Sequence, residues 1–122
     1  MPPARQQLGA YGETLAADHL QRCGLSIVER NWRCPAGELD IIAHDGAEWV
    51  FVEVRTRRAP TTDTALESIT PAKQNRLLAA IHAYLEAHGM DAEDTGWRLD
   101  LVVIALGPGG RQIEVIHDIA GW

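Results

Sequence analysis

A pair of apolar strands joined by a tight turn, with carboxylates inside the strands, constrains this chain more than any other feature. Strands are predicted over residues 39–44 and 49–56, and Asp45-Gly46 between them is a typical hairpin turn. The second of these strands carries apolar residues on both faces, which predicts burial on both sides. Glu53 therefore falls in a covered environment, where an unpartnered carboxylate is costly.

The expected register brings further carboxylates next to Glu53. Counting back from a two-residue Asp45-Gly46 turn places Glu38 opposite Glu53, with Asp40 two residues nearer the turn. The three carboxylates would then project from one face as near neighbours. Like charges in such contact destabilise a sheet unless a cation binds, a pKa rises or a basic group lies between them. For Glu38 alone, an exposed position at the start of its strand is the alternative.

The first helix contributes another carboxylate. Helical spacing predicts a helix over residues 4–23, in which Glu13 shares a small, apolar face with Gly9, Ala16 and Leu20. That face is expected to pack on the sheet, which would direct Glu13 inward. A position at the rim of the face is the alternative.

The remaining elements complete an α/β fold. A strand over 25–33 precedes the hairpin, a helix capped by Thr70-Pro71 runs to about His88, and strands follow over 97–106 and 112–119. Residues 57–69 are polar and are expected to form a mobile loop. The order α-β-β-β-α-β-β predicts a mixed central sheet flanked by helices. All 122 residues are expected to form one domain.

Charge and segment composition limit the classes of partner. The formal net charge of −6 argues against a general polyanion-binding protein, so nucleic-acid contact needs a local basic patch, for which Arg55, Arg57 and Arg58 are the candidates. No apolar signal region or membrane-spanning segment is present, so we expect a cytoplasmic location and no membrane partner. Cys23 and Cys34 are expected to be reduced thiols, since two cysteines cannot supply a zinc site unaided.

The chemistry of the carboxylate cluster suits a hard cation. Mg²⁺ and Mn²⁺ prefer carboxylate oxygens and water, and either ion could polarise a phosphoryl oxygen and activate water. The sequence has no helical H-E-x-x-H, Walker P-loop, G-x-G-x-x-G or G-x-S-x-G motif, and its histidines show no ligand spacing. A Mg²⁺ or Mn²⁺ site is therefore the predicted cofactor site.

The run GELDIIAHDGAEWVFVEVRTR resembles the signature of the YraN-like uncharacterised protein family, and the similarity extends over about residues 9–119. That family in turn resembles the PD-(D/E)xK nucleases, especially archaeal Holliday-junction resolvases. The resemblance implies a restriction-endonuclease-like fold in which Asp40 and Glu53 are the motif carboxylates that bind the metal. It also implies that Glu13 completes the site and that Arg55 takes the final basic position.

Arginine at that final position departs from the superfamily pattern, which ends in lysine. Arg55 cannot lose its proton to activate water, but it can serve as a fixed cation at a phosphate. Lys73 is the predicted substitute because it lies in the first turn of the second helix, in register with its apolar stripe; a solvated lysine is the alternative. Arg98 and Asp100 share a strand face and are expected to form a structural ion pair beside the site.

Three functions remain open from the sequence. The leading one is a Mg²⁺- or Mn²⁺-dependent phosphodiesterase that acts on DNA, with branched DNA suggested by the resolvase resemblance. Its candidate catalytic residues are Glu13, Asp40, Glu53 and Arg55. Arg57, Arg58 and Lys73 would contact the backbone. The alternatives are a catalytically inactive nuclease-fold module and a structural partner with an apolar patch near Trp32 or Trp122. A homodimer is expected only by analogy with resolvases.

Overall fold

The structure, a computed structural model, describes residues 5–63 and 65–120. Its elements are α1 (Arg5–Arg22), β1 (Ser26–Cys34), β2 (Gly37–Asp45), β3 (Glu48–Arg57), a short 3-10 helix (Ala65–Ser68), α2 (Pro71–Ala87), β4 (Trp97–Gly107) and β5 (Gly110–Ile116). The strands form one open sheet in the order β1-β2-β3-β4-β5, in which β3 and β4 are parallel and the other neighbours antiparallel. The predicted element order and the mixed sheet with flanking helices are confirmed. The predicted helix start at Ala4, and Trp122, lie outside the described residues.

The two helices cover opposite faces of the sheet and create two apolar layers. On one face, Ala16 and Leu20 of α1 pack against Ile41, Val50, Val52 and Val102. On the other face, Leu77, Ile81 and Tyr84 of α2 pack against Leu39, Phe51 and Leu99. β3 is therefore buried on both sides, as its sequence predicts. Within the described residues, no helix combines the length and apolarity needed to cross a membrane.

A glycine sets how closely α1 approaches β3. A Cβ added at Gly12 would lie 1.7 Å from Thr56 Oγ1, well inside van der Waals contact, so a glycine is needed at this crossing. Gly9, one turn earlier, has no atom within 4 Å of the corresponding position. Because Glu13 follows Gly12 directly, the close approach also fixes where that carboxylate meets the sheet.

The hairpin turn is formed by residues 46–47 and not by 45–46 as predicted. Asp45 remains in β2 and pairs with Glu48, while Gly46 takes the left-handed conformation with φ of 63°. Arg98 favours this position of the turn, because its Nη2 lies 3.2 Å from Asp45 Oδ2 and holds the aspartate in the strand. The register is shifted by two residues from the prediction, which keeps Ile42 and Phe51 on one face, as predicted.

The predicted pairing of Glu38 with Glu53 is wrong. Backbone pairing between β2 and β3 ends at Ile41 and Val52, so neither glutamate has a partner across this part of the hairpin. Glu38 instead pairs with Arg33 of β1.

The segment predicted as a mobile loop is held against the sheet. Arg57 is the last residue of β3, and part of the segment forms the 3-10 helix. Thr62 is buried, its N–H donates to Gln112 Oε1 at 3.2 Å, and its hydroxyl donates to Glu114 Oε2 at 2.9 Å. Part of the segment is thus anchored on β5 through Thr62, and its mobility stays a prediction.

The last strand is an edge strand, as predicted, but it ends at Ile116 and not at Ile119. Asp118 adopts a φ of 54°, which is incompatible with a strand, and its N–H donates to Asp100 Oδ1 at 2.9 Å. A buried carboxylate on β4 therefore ends β5. Cys23 and Cys34 are both free, in agreement with the expected reduced thiols.

Candidate functional site

Asp40 occupies the point at which β2 and β3 separate. Beyond the Ile41–Val52 pair, the Val54 N–H donates to Asp40 Oδ2 at 2.8 Å, so a side-chain carboxylate replaces the missing backbone partner. This bond fixes the orientation of the carboxyl group between the two strands.

Glu53 is buried and shares a hydrogen bond with Asp40. Burial, this hydrogen bond and the charge of Glu53 raise the pKa of Asp40 to about 9, against the opposing effect of the Val54 N–H. Asp40 therefore retains its proton near neutral pH, as a half-buried carboxyl group does beside another carboxylate. The two motif carboxylates are thus neighbours, although the register that was expected to join them is wrong.

Two cations flank the Glu53 carboxylate. Lys73 Nζ lies 3.2 Å from Glu53 Oε2, and Arg55 Nη2 lies 3.8 Å from the same oxygen. The lysine is positioned by the start of α2, where Thr70 Oγ1 accepts the Lys73 N–H at 3.1 Å. The reach predicted for Lys73 is therefore present in the structure. Arg55 Nε is buried and has no hydrogen-bond partner in the part of the chain that the structure describes.

Glu13 is linked to Glu38 by hydrogen bonds from Asn31, a residue that was not predicted from the sequence. With its amide nitrogen turned towards the carboxylates, Asn31 donates to Glu13 Oε1 at 2.6 Å and to Glu38 Oε1 at 3.0 Å. Asn31 has a φ of 56°, a conformation that asparagine tolerates better than most residues. Burial raises the pKa of Glu13, Arg30 opposes that shift, and Glu38 adds to it. An asparagine inside an otherwise regular strand pattern was the signal available in the sequence.

The carboxylates do not project from a single face, which corrects the predicted arrangement. Glu53 lies on the face covered by α2, Glu13 comes from α1 on the other face, and Asp40 lies between them and lines a cavity on each side. The α2-side cavity, of about 230 Å³, is lined by Gly37, Glu38, Asp40, Glu53, Lys73, Arg76 and Leu77. The α1-side cavity, of about 310 Å³, is lined by Leu8, Gly9, Glu13, Asp40, Val54, Arg55 and Thr56.

The donor set at Asp40 and Glu53 fits a magnesium or manganese ion. Both side chains offer hard oxygen ligands, and the raised pKa of Asp40 reflects the burial and the neighbouring Glu53 charge that a divalent cation would offset. Within residues 5–63 and 65–120, no three acidic, histidine or cysteine side chains converge on one metal position. Two protein carboxylates, completed by water and substrate phosphate, are the usual way in which Mg²⁺ is held. Glu13 as a third ligand stays a prediction.

Arg98 and Asp100 form the expected ion pair, but not beside the site. Arg98 Nε lies 3.0 Å from Asp100 Oδ2, while its Nη1 and Nη2 contact Glu48 at 2.6 Å and Asp45 at 3.2 Å. Asp100 is fully buried and also contacts His117 Nδ1 at 3.0 Å. The network lies on the α1 face and joins β4 to the hairpin turn, away from the face on which Glu53 projects. Because these contacts tie two parts of the sheet together, the network stabilises the fold.

Comparison with known proteins identifies the family. The model of "Uncharacterised protein family UPF0102" matches residues 12–104. A UPF0102 protein of Chloroflexus aurantiacus is 48% identical over 120 residues, which cover 98% of this chain and 96% of that protein. UPF0102 proteins of Roseiflexus castenholzii (45% over 117 residues; 96% and 94% of the two chains) and Streptomyces griseus (46% over 99 residues; 81% and 82%) are also similar. The chain therefore belongs to the UPF0102 family.

Proposed function

We propose that this member of the UPF0102 family is a metal-dependent phosphodiesterase that acts on DNA, as its resemblance to PD-(D/E)xK nucleases implies. The observation that carries the proposal is the Asp40–Glu53 pair. A buried carboxyl group, Glu53, in hydrogen-bond contact with a half-buried one, Asp40, at the separation of two strands, is costly for a purely structural role and suited to a divalent cation.

Asp40 and Glu53 would hold Mg²⁺ or Mn²⁺, which when bound supplies Lewis acidity at a phosphoryl oxygen. Asp40 needs no reorganisation for this role, because the Val54 N–H already orients its carboxylate. Glu53 in addition keeps the Lys73 ammonium within 3.2 Å of its own oxygen. One side chain would therefore position both the ion and the nearest titratable cation.

Lys73 and Arg55 would take different tasks. Lys73 is able to accept a proton from an attacking water molecule once it is in the deprotonated form, whereas a guanidinium is not. Arg55 supplies a permanent positive charge that favours the charge building up on the phosphate in the transition state. Glu13, from the α1 side, would orient water near Asp40, because both line the same cavity.

The charge distribution supports a polyanionic substrate in spite of the net charge of −6. Arg57 ends β3, Arg58 follows it, and Lys73 lies in the first turn of α2 against Glu53. Acidic residues gather at the opposite end of β3, where Asp45 and Glu48 flank the hairpin turn. The acidic loop 91–94 lies at that end too, since the Trp49 N–H donates to the neighbouring Gly96 carbonyl. A phosphate backbone would therefore meet a basic rim at the site.

One observation favours a second function, a catalytically inactive module that binds nucleic acid or a protein. Arg55 stands where the superfamily pattern has lysine, so the activity depends on Lys73 as its substitute. The third possibility, a structural partner with an exposed apolar patch near Trp32, is less well supported. The Trp32 ring packs edge-on against Tyr84 with 5.2 Å between centroids and is partly buried in the α2 layer.

Cleavage of labelled DNA tests the proposal. Linear duplex, single-stranded and four-way-junction DNA would be incubated with Mg²⁺ or Mn²⁺ and the wild type, Asp40→Asn, Lys73→Met or the surface control Asp18→Asn. We expect cleavage that Asp18→Asn retains and that Asp40→Asn lowers by at least about 100-fold, the scale for loss of a preorganised electrostatic group. Full activity of Asp40→Asn would overturn the assignment, and DNA binding without cleavage by the wild type would favour the inactive module.

A further inference from the structure

Arg76 is a cation of the site that no acidic side chain neutralises in the described part of the chain. Lys73 and Arg55 both lie against the single carboxylate of Glu53. Arg76 is exposed, and residues 5–63 and 65–120 offer it neither an ion pair nor a side-chain hydrogen bond. Its charge is therefore available to an anion from outside the molecule.

The position of Arg76 relates it to the carboxylate pair. It follows Lys73 by three residues, so the two side chains lie on the same side of α2, separated by roughly 4.5 Å along the helix axis. Both line the α2-side cavity together with Glu53. Arg76 is the more exposed of the two, and it lies one helical turn farther from the start of α2.

The turn between β1 and β2 forms the other wall of this cavity. A Cβ added at Gly37 would lie 3.9 Å from the Arg76 carbonyl oxygen, so the turn and α2 are in near contact there. Glu38 on this wall is partly neutralised by Arg33, whose Nε lies 3.6 Å from Glu38 Oε2. The cavity is thus a groove with an uncompensated guanidinium at its side and the carboxylate pair at its base.

We propose that Arg76 binds a backbone phosphate of the nucleic acid adjacent to the phosphate at the metal site. The nucleic-acid strand would then run through the groove between α2 and the β1–β2 turn. This inference rests on the proposed function and specifies the path of its substrate. A guanidinium matches the paired oxygens of a phosphate, and such a contact positions the strand without reading its sequence.

The test is the salt dependence of DNA binding, measured by fluorescence anisotropy with Ca²⁺ in place of the catalytic ion. Wild type, Arg76→Gln and Arg22→Gln would be titrated with labelled single-stranded and junction DNA at several NaCl concentrations. Arg22 is the control, since it is an exposed arginine at the far end of α1 whose charge is already paired with Asp18, 2.9 Å away. Thermal unfolding would confirm that both variants fold.

We expect Arg76→Gln to reduce the slope of log K against log salt by about 0.7 for single strands and about 0.9 for duplex arms, equally for different base sequences. Arg22→Gln should leave the slope unchanged. Wild-type slopes for Arg76→Gln would overturn this inference and leave the proposed function standing. Absence of DNA binding by the wild type would overturn both.

Discussion

Replacing Gly12 by alanine should destabilise the protein, while the same change at Gly9 should not. The two glycines lie in one helix, so both substitutions gain the same helix propensity, about 1 kcal/mol at most. They differ in what the new methyl group meets. At Gly12 it would lie 1.7 Å from Thr56 Oγ1 and 2.8 Å from Thr56 Cβ, and at Gly9 it would meet nothing within 4 Å.

The size of the effect follows from this clash. Extra atoms in a close-packed interior cost about 1–3 kcal/mol, because neighbouring groups must shift. Subtracting the propensity gain leaves Gly12→Ala destabilised by up to about 2 kcal/mol and Gly9→Ala stabilised by up to about 1 kcal/mol. The difference between the two variants cancels the propensity contribution and isolates the steric cost at the α1–β3 crossing.

Urea denaturation of both variants measures this difference, and Thr56→Ala supplies the internal check. Thr56 Oγ1 is buried without a hydrogen-bond partner among the described residues, so its removal loses no such bond. Adding Thr56→Ala to Gly12→Ala should recover part of the lost stability, because it removes Oγ1 and Cγ2 but keeps the Cβ that lies 2.8 Å from the new methyl group. Two outcomes would refute the argument that Gly12 allows α1 to approach β3 closely. One is equal free energies of unfolding for the two alanine variants, and the other is no recovery of stability in the double variant.

Three further predictions concern the carboxylates. Asp100→Ala should cost about 1.5–3 kcal/mol in urea denaturation, the scale for a buried charged hydrogen bond, because Arg98 then keeps only the more exposed carboxylates of Asp45 and Glu48; a loss below about 1 kcal/mol would contradict this. Asn31→Gly and Glu13→Gln should be coupled by at least about 0.5 kcal/mol in a double-mutant cycle, because Asn31 donates a hydrogen bond to Glu13. Glycine keeps the backbone conformation and removes only the side-chain amide. Additive effects would exclude this hydrogen bond. Without divalent metal, the free energy of unfolding should fall as pH rises from 5 towards 9, because the raised pKa of Asp40 lets the folded state hold a proton that the unfolded chain has released. Asp40→Asn should flatten this pH profile. An unchanged profile in that variant would count against a protonated Asp40.

Local patterns predicted the elements and their faces. Apolar periodicity and the capping pair Thr70-Pro71 identified both helices and all five strands, because each element buries a face whose spacing is visible in the sequence. The sequence also drew attention to Asp40, Glu53 and Lys73, since charged residues inside apolar patterns are conspicuous, and the structure brings these three together; their roles stay predictions.

Features that depend on distant partners were not predictable in the same way. The hairpin register was wrong by two residues, because Asp45 is held in its strand by Arg98, which is 53 positions away. Asn31 was missed because its two acceptors come from α1 and β2, and only the folded chain brings them together. The hydrogen bonds of Thr62 were not predicted either, because its partners Gln112 and Glu114 lie on the last strand.

Calorimetric titration with Mn²⁺ tests the central claim, that Asp40 and Glu53 together hold a divalent cation. The wild type, Asp40→Asn and the exposed control Asp18→Asn would be compared, each with and without single-stranded DNA to supply phosphate ligands. The account predicts binding to the wild type and the control and its loss in Asp40→Asn. Equal Mn²⁺ binding by Asp40→Asn, or none by the wild type even with DNA present, would contradict it.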